Sequence, residues 1–384
     1  MLTAPSPVDS RRRRSVAACA AWLGAPALLG LAGCAPAGPL RIGFLGGMSG
    51  RVADLGVGGR NGARLAVDDL NAAGGINGHP VELLPFDDEQ NPDVARRHLQ
   101  TMATAGVHLV VGPMTSAIAV AVAPLAQERG MVLVSPTSTT HELTGQADAF
   151  FRVVSDTQTG GAQNAEHLYA KGPRTLACIA DLQNRAFSVS WVQGVQQRFS
   201  ALGGRTLLDT TYASAPGISY SALAQTLLAA QADVIEIAAS AADTALLSQH
   251  IRQRNEFVQL ATSPWAGTEQ LLQMGGRAVE GALVPQYYDR SSRAQSYLDF
   301  LARFRQRFSE HPGYPSVNAY DATLLGAEAL RLQRRGEALV DVMRRLHSFK
   351  GLQRPLSLNE FGDSTGPLFL TRVRNGQFEP IERT

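Results

Sequence analysis

This 384-residue chain predicts an α/β protein of two lobes, each built around its own parallel sheet. Three observations carry that expectation. Short apolar runs alternate with amphipathic stretches from Pro39 onward. The alternation restarts near Gly161 after four runs. The C-terminal part is mostly helical, with no strands of its own before a short tail. Strands of a parallel sheet covered on both faces read as continuous apolar runs, and the helices between them do the covering.

In the first array, residues 40–45 (LRIGFL) read as a strand. Ala63, Ala66, Val67 and Leu70 then recur at i, i+3, i+4 and i+7, the stripe of a helix facing a core, and Gly74-Gly75 stops it. Residues 81–86 form a second strand, and Asp93 is the expected N-cap of a helix reaching about Ala105. Residues 108–111 and 131–134 are further strands, separated by a helix over 115–129. The second array has helices over 161–171 and 187–202 and strands over 175–180, 206–211, 233–238 and 258–261. Residues 294–308 and 316–346 read as helical, followed by a β-like tail over 366–380. A helical segment without strands must pack on a sheet already built, so the chain is expected to cross back to the first lobe.

The first 34 residues are read as lying outside this fold. Arg11 to Arg14 form a positive segment, an apolar stretch rich in Ala and Leu follows, and Leu31-Ala32-Gly33-Cys34 closes it. That layout is a secretory signal over 1–33, and the terminal L-A-G-C resembles a lipobox. Cys34 is therefore the expected lipidation site, with 34–39 as a tether and a bacterial membrane as the anchor. The leader carries four arginines and one acid, a net +3, so the chain's +2 leaves −1 on the remainder. No basic patch remains to support nucleic-acid binding. Once Cys19 and Cys34 are assigned to the leader and anchor, only Cys178 is left, in the apolar run TLACIA, where a core position is expected.

Residues 43–92, GFLGGMSGRVADLGVGGRNGARLAVDDLNAAGGINGHPVELLPFDDEQNP, resemble the opening of periplasmic solute-binding proteins of the branched-chain amino acid (leucine/isoleucine/valine) ABC transporter type. The resemblance continues through VVGPMTSAIAVAVAP, SPTSTTHELT, FFRVV and NAYDATLLGAEAL, so it covers about residues 40–330. It implies the type I periplasmic-binding fold: two Rossmann-like lobes joined by three crossovers, with a ligand cleft between them. The lobes would comprise 40–156 plus 287–349 and 157–286 plus 350–384. It further implies an extracytoplasmic importer component that works with ABC permease subunits and is expected to be a monomer. The same fold also serves ligand-sensing receptors and cell-envelope scaffold lipoproteins.

Ligands of doubly wound sheets bind beyond the carboxyl ends of the strands. Met114-Thr115-Ser116 and the hydroxyl-rich stretch Ser135 to Thr140 both follow strands, each expected to open a helix whose unpaired N–H groups suit a carboxylate. By resemblance, Ser116 binds the ligand carboxylate, Thr137 contributes backbone groups, and Thr139 bonds the head group. Thr115 lies beside them, while Ser138 and Thr140 read as structural. Helix capping alone would also explain hydroxyls here.

The departures are equally informative. Leu55 stands where relatives often carry a tyrosine. Trp265, in SPWAG, stands near the carboxylate that pairs a ligand ammonium. The aromatic of the second lobe's D…YG motif is Phe187 or displaced, after Asp181. Asp181, Glu269 and Asp243 are alternative carboxylates. Gln90 and Thr115 occupy the family's disulfide positions.

The remaining features point away from catalysis. Asp87-Asp88 reads as a solvated turn. The eight histidines show no zinc spacing, and His141 only follows the hydroxyl stretch. Gly58, Gly59 and Gly62 do not form a dinucleotide fingerprint, and no G-x-S-x-G occurs. No cofactor, metal or catalytic residue is therefore expected.

Overall fold

The computed structural model describes residues 38–381, so the expectations for the leader and Cys34 lie outside the described residues. The first sheet contains β1 (Leu40–Gly46), β2 (Val81–Asp87), β3 (Leu109–Val111), β4 (Val132–Ser135) and β5 (Phe150–Arg152), all parallel, in the order β2-β1-β3-β4-β5. Between them run α1 (Ala53–Ala72), α2 (Pro92–Thr104) and α3 (Ser116–Glu128). The strands divide their side chains between two cores. Leu109 and Val111 face α1, while Val110 and Leu133 face α2 and α3, as the pleat of a buried strand requires.

The second lobe starts with α4 (Thr157–Ala170), β6 (Thr175–Asp181), α5 (Arg185–Ala201) and β7 (Arg205–Tyr212). It continues with α6 (Tyr220–Ala229), β8 (Val234–Ala238), α7 (Ala241–Arg252), β9 (Gln259–Thr262), α8 (Glu269–Gly275) and β10 (Leu283–Gln286). Cys178 is fully buried on the α4/α5 side of β6, and burial pushes its thiol well up, so it is an inert core residue.

After β10 come α9 (Gln295–Phe308), α10 (Tyr314–Leu332) and α11 (Leu339–Arg344), and α10 packs along α1 of the first lobe. A small hairpin, β11 (Ser348–Lys350) with β12 (Pro355–Ser357), precedes the tail strands β13 (Phe369–Arg374) and β14 (Gln377–Pro380). These two extend the second sheet antiparallel beside β10, giving the order β14-β13-β10-β9-β8-β6-β7. The chain thus passes between the lobes three times: after β5, after β10 and before β13.

Four local expectations are corrected. Asn91, not Asp93, caps α2, its side chain accepting from the Asp93 and Val94 amides. The hydroxyl stretch opens no α-helix, only a single 3-10 turn, His141–Leu143. Asp88 is buried rather than solvated, its carboxyl pushed up to about 6 by burial. β10 was not anticipated, because Pro285 interrupts the donor pattern that a central strand usually keeps.

Gly62 makes the return of α10 possible. A Cβ there would overlap the Ser316 carbonyl at the start of α10. Gly62→Ala should therefore lower Tm by several degrees: overpacking of about 1–3 kcal/mol outweighs the roughly 1 kcal/mol gained in helix propensity. An unchanged Tm in calorimetry would show that α1 and α10 can separate freely.

Glu236 on β8 has no exposed surface and accepts from Trp191 Nε1 at 2.8 Å and Asn164 Nδ2 at 3.1 Å. Burial raises its carboxyl from 4.5 to about 7. The unfolded chain therefore loses this proton first, and stability falls as pH rises between those two values. Glu236→Gln should match the parent protein near pH 4.5 and exceed it by up to roughly 3 kcal/mol above pH 7, measured by denaturant titration. Asn164 Oδ1, otherwise unpaired, can accept the new amide after a flip. Asp88 and Asp321 are raised in the same direction and His167 is lowered, all by burial, and these remain in both proteins.

Candidate functional site

The carboxyl ends of β3 and β4 point toward those of β6, β9 and β10 across a cleft, and two loops form its first-lobe side. Most hydroxyls in them are committed to the chain itself. Ser135 Oγ donates to the Pro113 carbonyl at 2.7 Å and accepts the Ser138 amide at 2.9 Å. Thr137 Oγ1 donates to the Met114 carbonyl at 2.5 Å. Thr140 caps the 3-10 turn by accepting from the Glu142 amide at 3.2 Å. Ser116 Oγ accepts the amides of Thr139 and Thr140 at 3.2 and 3.1 Å, clamping the two loops together. Behind them, the buried Arg152 donates to the Thr140 carbonyl at 2.8 Å and pairs with Asp363 at 2.6 Å.

Two hydroxyls are left over. Thr115 holds the N-cap position of α3 yet makes no side-chain cap bond, and its Oγ1 has no partner although the residue is buried. Thr139 Oγ1 is likewise unpaired in a residue with no exposed surface. Tyr287, just after β10, presents a third unpaired buried hydroxyl. Burial pushes its phenol up and the nearby Thr139 hydroxyl opposes that shift, but neither group completes a hydrogen bond. Buried polar groups normally find partners, so an unpaired set around one cleft marks a place where something polar belongs.

The opposite walls are aromatic. Trp265 meets Phe187 edge-on, centroids 5.8 Å apart, and Phe187 stacks on Trp191 at 6.3 Å. Trp265 and Phe187, with Leu55, Met114, Tyr287, Tyr314 and the polar residues Thr115, Ser116, Thr137 and Asn184, enclose about 10 Å³, on a scale where one water needs about 10–15 Å³. No lining residue carries a charge.

The structure does not bring Asp181 to this cavity. Its carboxylate accepts from the Gln183 and Ser214 amides and from the Ser214 hydroxyl. Asp243 is engaged by Arg51, by Tyr220 at 2.7 Å and by Tyr212 at 3.0 Å, and Glu269 pairs with Arg290 at 2.8 Å. His141 lies half exposed beside Asp156, away from the lining. Sequence reasoning missed Asn184, Met114, Tyr287 and Tyr314. Asn184 and Met114 lay inside stretches already singled out, but nothing in the pattern showed where their side chains point.

Among the described residues, several polar contacts join the lobes across the cleft, one of them from Arg51 to the Tyr220 hydroxyl at 2.6 Å. Arg51 reaches Asp243, Thr268 donates to Asp54, and the Ala117 amide donates to Asn184 Oδ1 at 3.0 Å. Burial raises the Asp54 carboxyl, and the Thr268 hydroxyl opposes that shift.

Residues 39–377 match the family model described as periplasmic binding protein. The chain belongs to that family. It is 25% identical over 351 residues to Leu/Ile/Val-binding protein homolog 3 of Brucella melitensis, covering 89% of this chain and 93% of that one. A leucine-binding protein from Thermotoga maritima shares the fold with a TM-score of 0.82 at 22% identity, covering 89% and 98% of the two chains. An ABC transporter solute-binding protein from R. palustris, solved with benzoate, has a TM-score of 0.81 at 18% identity, covering 89% and 95%. The fold is thus the type I, two-lobed kind of branched-chain amino acid transport proteins, whose members bind rather than catalyse.

The sorting of hydroxyls can be tested without any ligand. Thr139→Val removes an unpaired buried hydroxyl at constant shape, so Tm should stay level or rise. Ser116→Ala leaves two buried amides without an acceptor and should lose about 1–3 kcal/mol. The reverse ranking in thermal melts would show that Thr139, not Ser116, holds the loops.

Proposed function

We propose that this protein is the extracytoplasmic solute-binding component of an ABC importer, held at a membrane by lipid on Cys34. In this reading it closes on a small carboxylate whose body is apolar or aromatic. The observation that carries the reading is the chemistry of the cavity: unpaired hydroxyl donors beside the N-terminus of α3, surrounded by uncharged, aromatic walls. A helix N-terminus and neutral donors favour a carboxylate. Flat apolar walls favour a ring or a branched chain. Ser116 acts mainly by setting the loops, Thr115 faces the ligand, and Thr137, Leu55, Phe187 and Trp265 shape its body; Thr139 lies behind the lining and reaches a ligand only if the cleft opens.

An α-ammonium fits this cavity poorly. Burying it without a carboxylate partner costs several kcal/mol, and Asp181, Asp243 and Glu269 are already engaged elsewhere. The benzoate bound by the R. palustris relative has the chemistry that the cavity favours. The cavity is far smaller than an ordinary ligand pocket, so entry requires the lobes to part, as hinge closure provides.

The test compares leucine with 4-methylpentanoate, the same skeleton lacking the ammonium, and with benzoate. At a hundred times Kd a ligand stabilises the fold by about 2.7 kcal/mol, readily seen as a shift in Tm. The two simple acids should bind at least tenfold more tightly than leucine. Trp265→Glu supplies the missing acid and should shift the preference toward leucine. Equal binding of leucine and 4-methylpentanoate by the parent protein would overturn the uncharged-body reading, and no binding of any acid would overturn the solute-binding reading.

A further inference from the structure

Asn184 and Thr115 both hold N-cap positions, of α5 and α3 respectively, and neither side chain caps its own helix. Asparagine is among the best N-caps because its side-chain oxygen accepts an amide of the first turn. Asn184 Oδ1 does accept such an amide, but it is the Ala117 amide of α3, in the opposite lobe, at 3.0 Å. Ala117 is the second residue of α3, so its N–H is the group that an N-cap side chain on the same helix would take. That N–H also belongs to the helix whose N-cap residue, Thr115, lines the cavity with an unpaired hydroxyl. Asn184 is almost completely buried and lines the cavity.

We propose that Asn184 is an internal stand-in for the ligand's carboxylate and sets the affinity of the site. Its carbonyl oxygen caps α3 from across the cleft and helps close the lobes on a cavity with room for about one water. A ligand carboxylate takes the Ala117 N–H only by displacing it. The apparent affinity is therefore the intrinsic affinity multiplied by the fraction of molecules in which the Asn184 bond is open. The contact also selects for charge, because a neutral amide or alcohol offers α3 nothing better than the amide oxygen already there, whereas a carboxylate accepts more strongly.

This inference rests on the carboxylate reading above, and its test separates the two. Asn184→Ala removes the stand-in, and Asn184→Asp fixes an anion on the same N–H at nearly constant shape. Benzoate titrations should give about fivefold tighter binding for Asn184→Ala, the scale of one neutral hydrogen bond, and at least tenfold weaker binding for Asn184→Asp. Weaker binding by Asn184→Ala would make Asn184 a plain ligand contact, and unchanged binding by Asn184→Asp would place the carboxylate elsewhere; either result overturns the proposal. Small-angle scattering of the same three proteins without ligand supplies an independent reading. Asn184→Ala should expand, while Asn184→Asp should stay as compact as the parent. If benzoate binds none of them, the carboxylate reading fails, and scattering alone decides: equal radii for all three would overturn the cross-lobe cap as well.

Discussion

The first turn of α3 must find acceptors for its amides, and the residue placed to supply one, Thr115, does not. Much of the cleft follows from that requirement. A helix end without its own cap carries unpaired N–H groups and a partial positive charge into a nearly dry space, where each is costly to leave unmet. The chain meets one of them from the other lobe through Asn184, so a local backbone obligation becomes a contact between lobes. One of the contacts that hold the lobes together is thus set by what occupies a single amide of α3.

That dependence needs a rigid first-lobe side, and the hydroxyl loops provide it. Ser116 holds two amides of the neighbouring loop, and Arg152 grips the carbonyl of Thr140 from below. Arg152 also pairs with Asp363, which lies in the last connection between the lobes, just before β13. Movement of that connection is therefore felt at the loop that carries Thr139. The same residues that look like binding groups in the sequence turn out to be largely the frame that keeps the two unpaired hydroxyls in place.

What could be read from the residues divides along physical lines. Apolar runs and helical stripes report burial on nearly every element, so the two sheets and the return of α10 were legible. Trp265 was expected near the site, and it lines the cavity. Asp181 was not, because the end of β6 turns its carboxylate toward Ser214 instead of the cavity. Tyr287 follows a strand that Pro285 hid, and Tyr314 reaches the site only because Gly62 lets α10 approach α1. Asn184 was not legible, because nothing local indicates that its side chain caps a helix 67 residues away in sequence.

The cross-lobe contacts do not weigh equally. Arg51 is more than a third exposed, and an ion pair with one partner in solvent contributes little net stability even when the other, Asp243, is buried. Asp243 also keeps Tyr212 and Tyr220 when the lobes separate, so it is not stranded without Arg51. Asp54 and Thr268 can each turn to water at the rim of a wide groove that both help to line. Of the residues in these contacts, only Asn184, which accepts the part-buried Ala117 amide, also lines the cavity. The neutral hydrogen bond from Ala117 to Asn184 is therefore the cross-lobe contact that a ligand in the cavity can replace, and a ligand that does so competes with the protein's own second lobe.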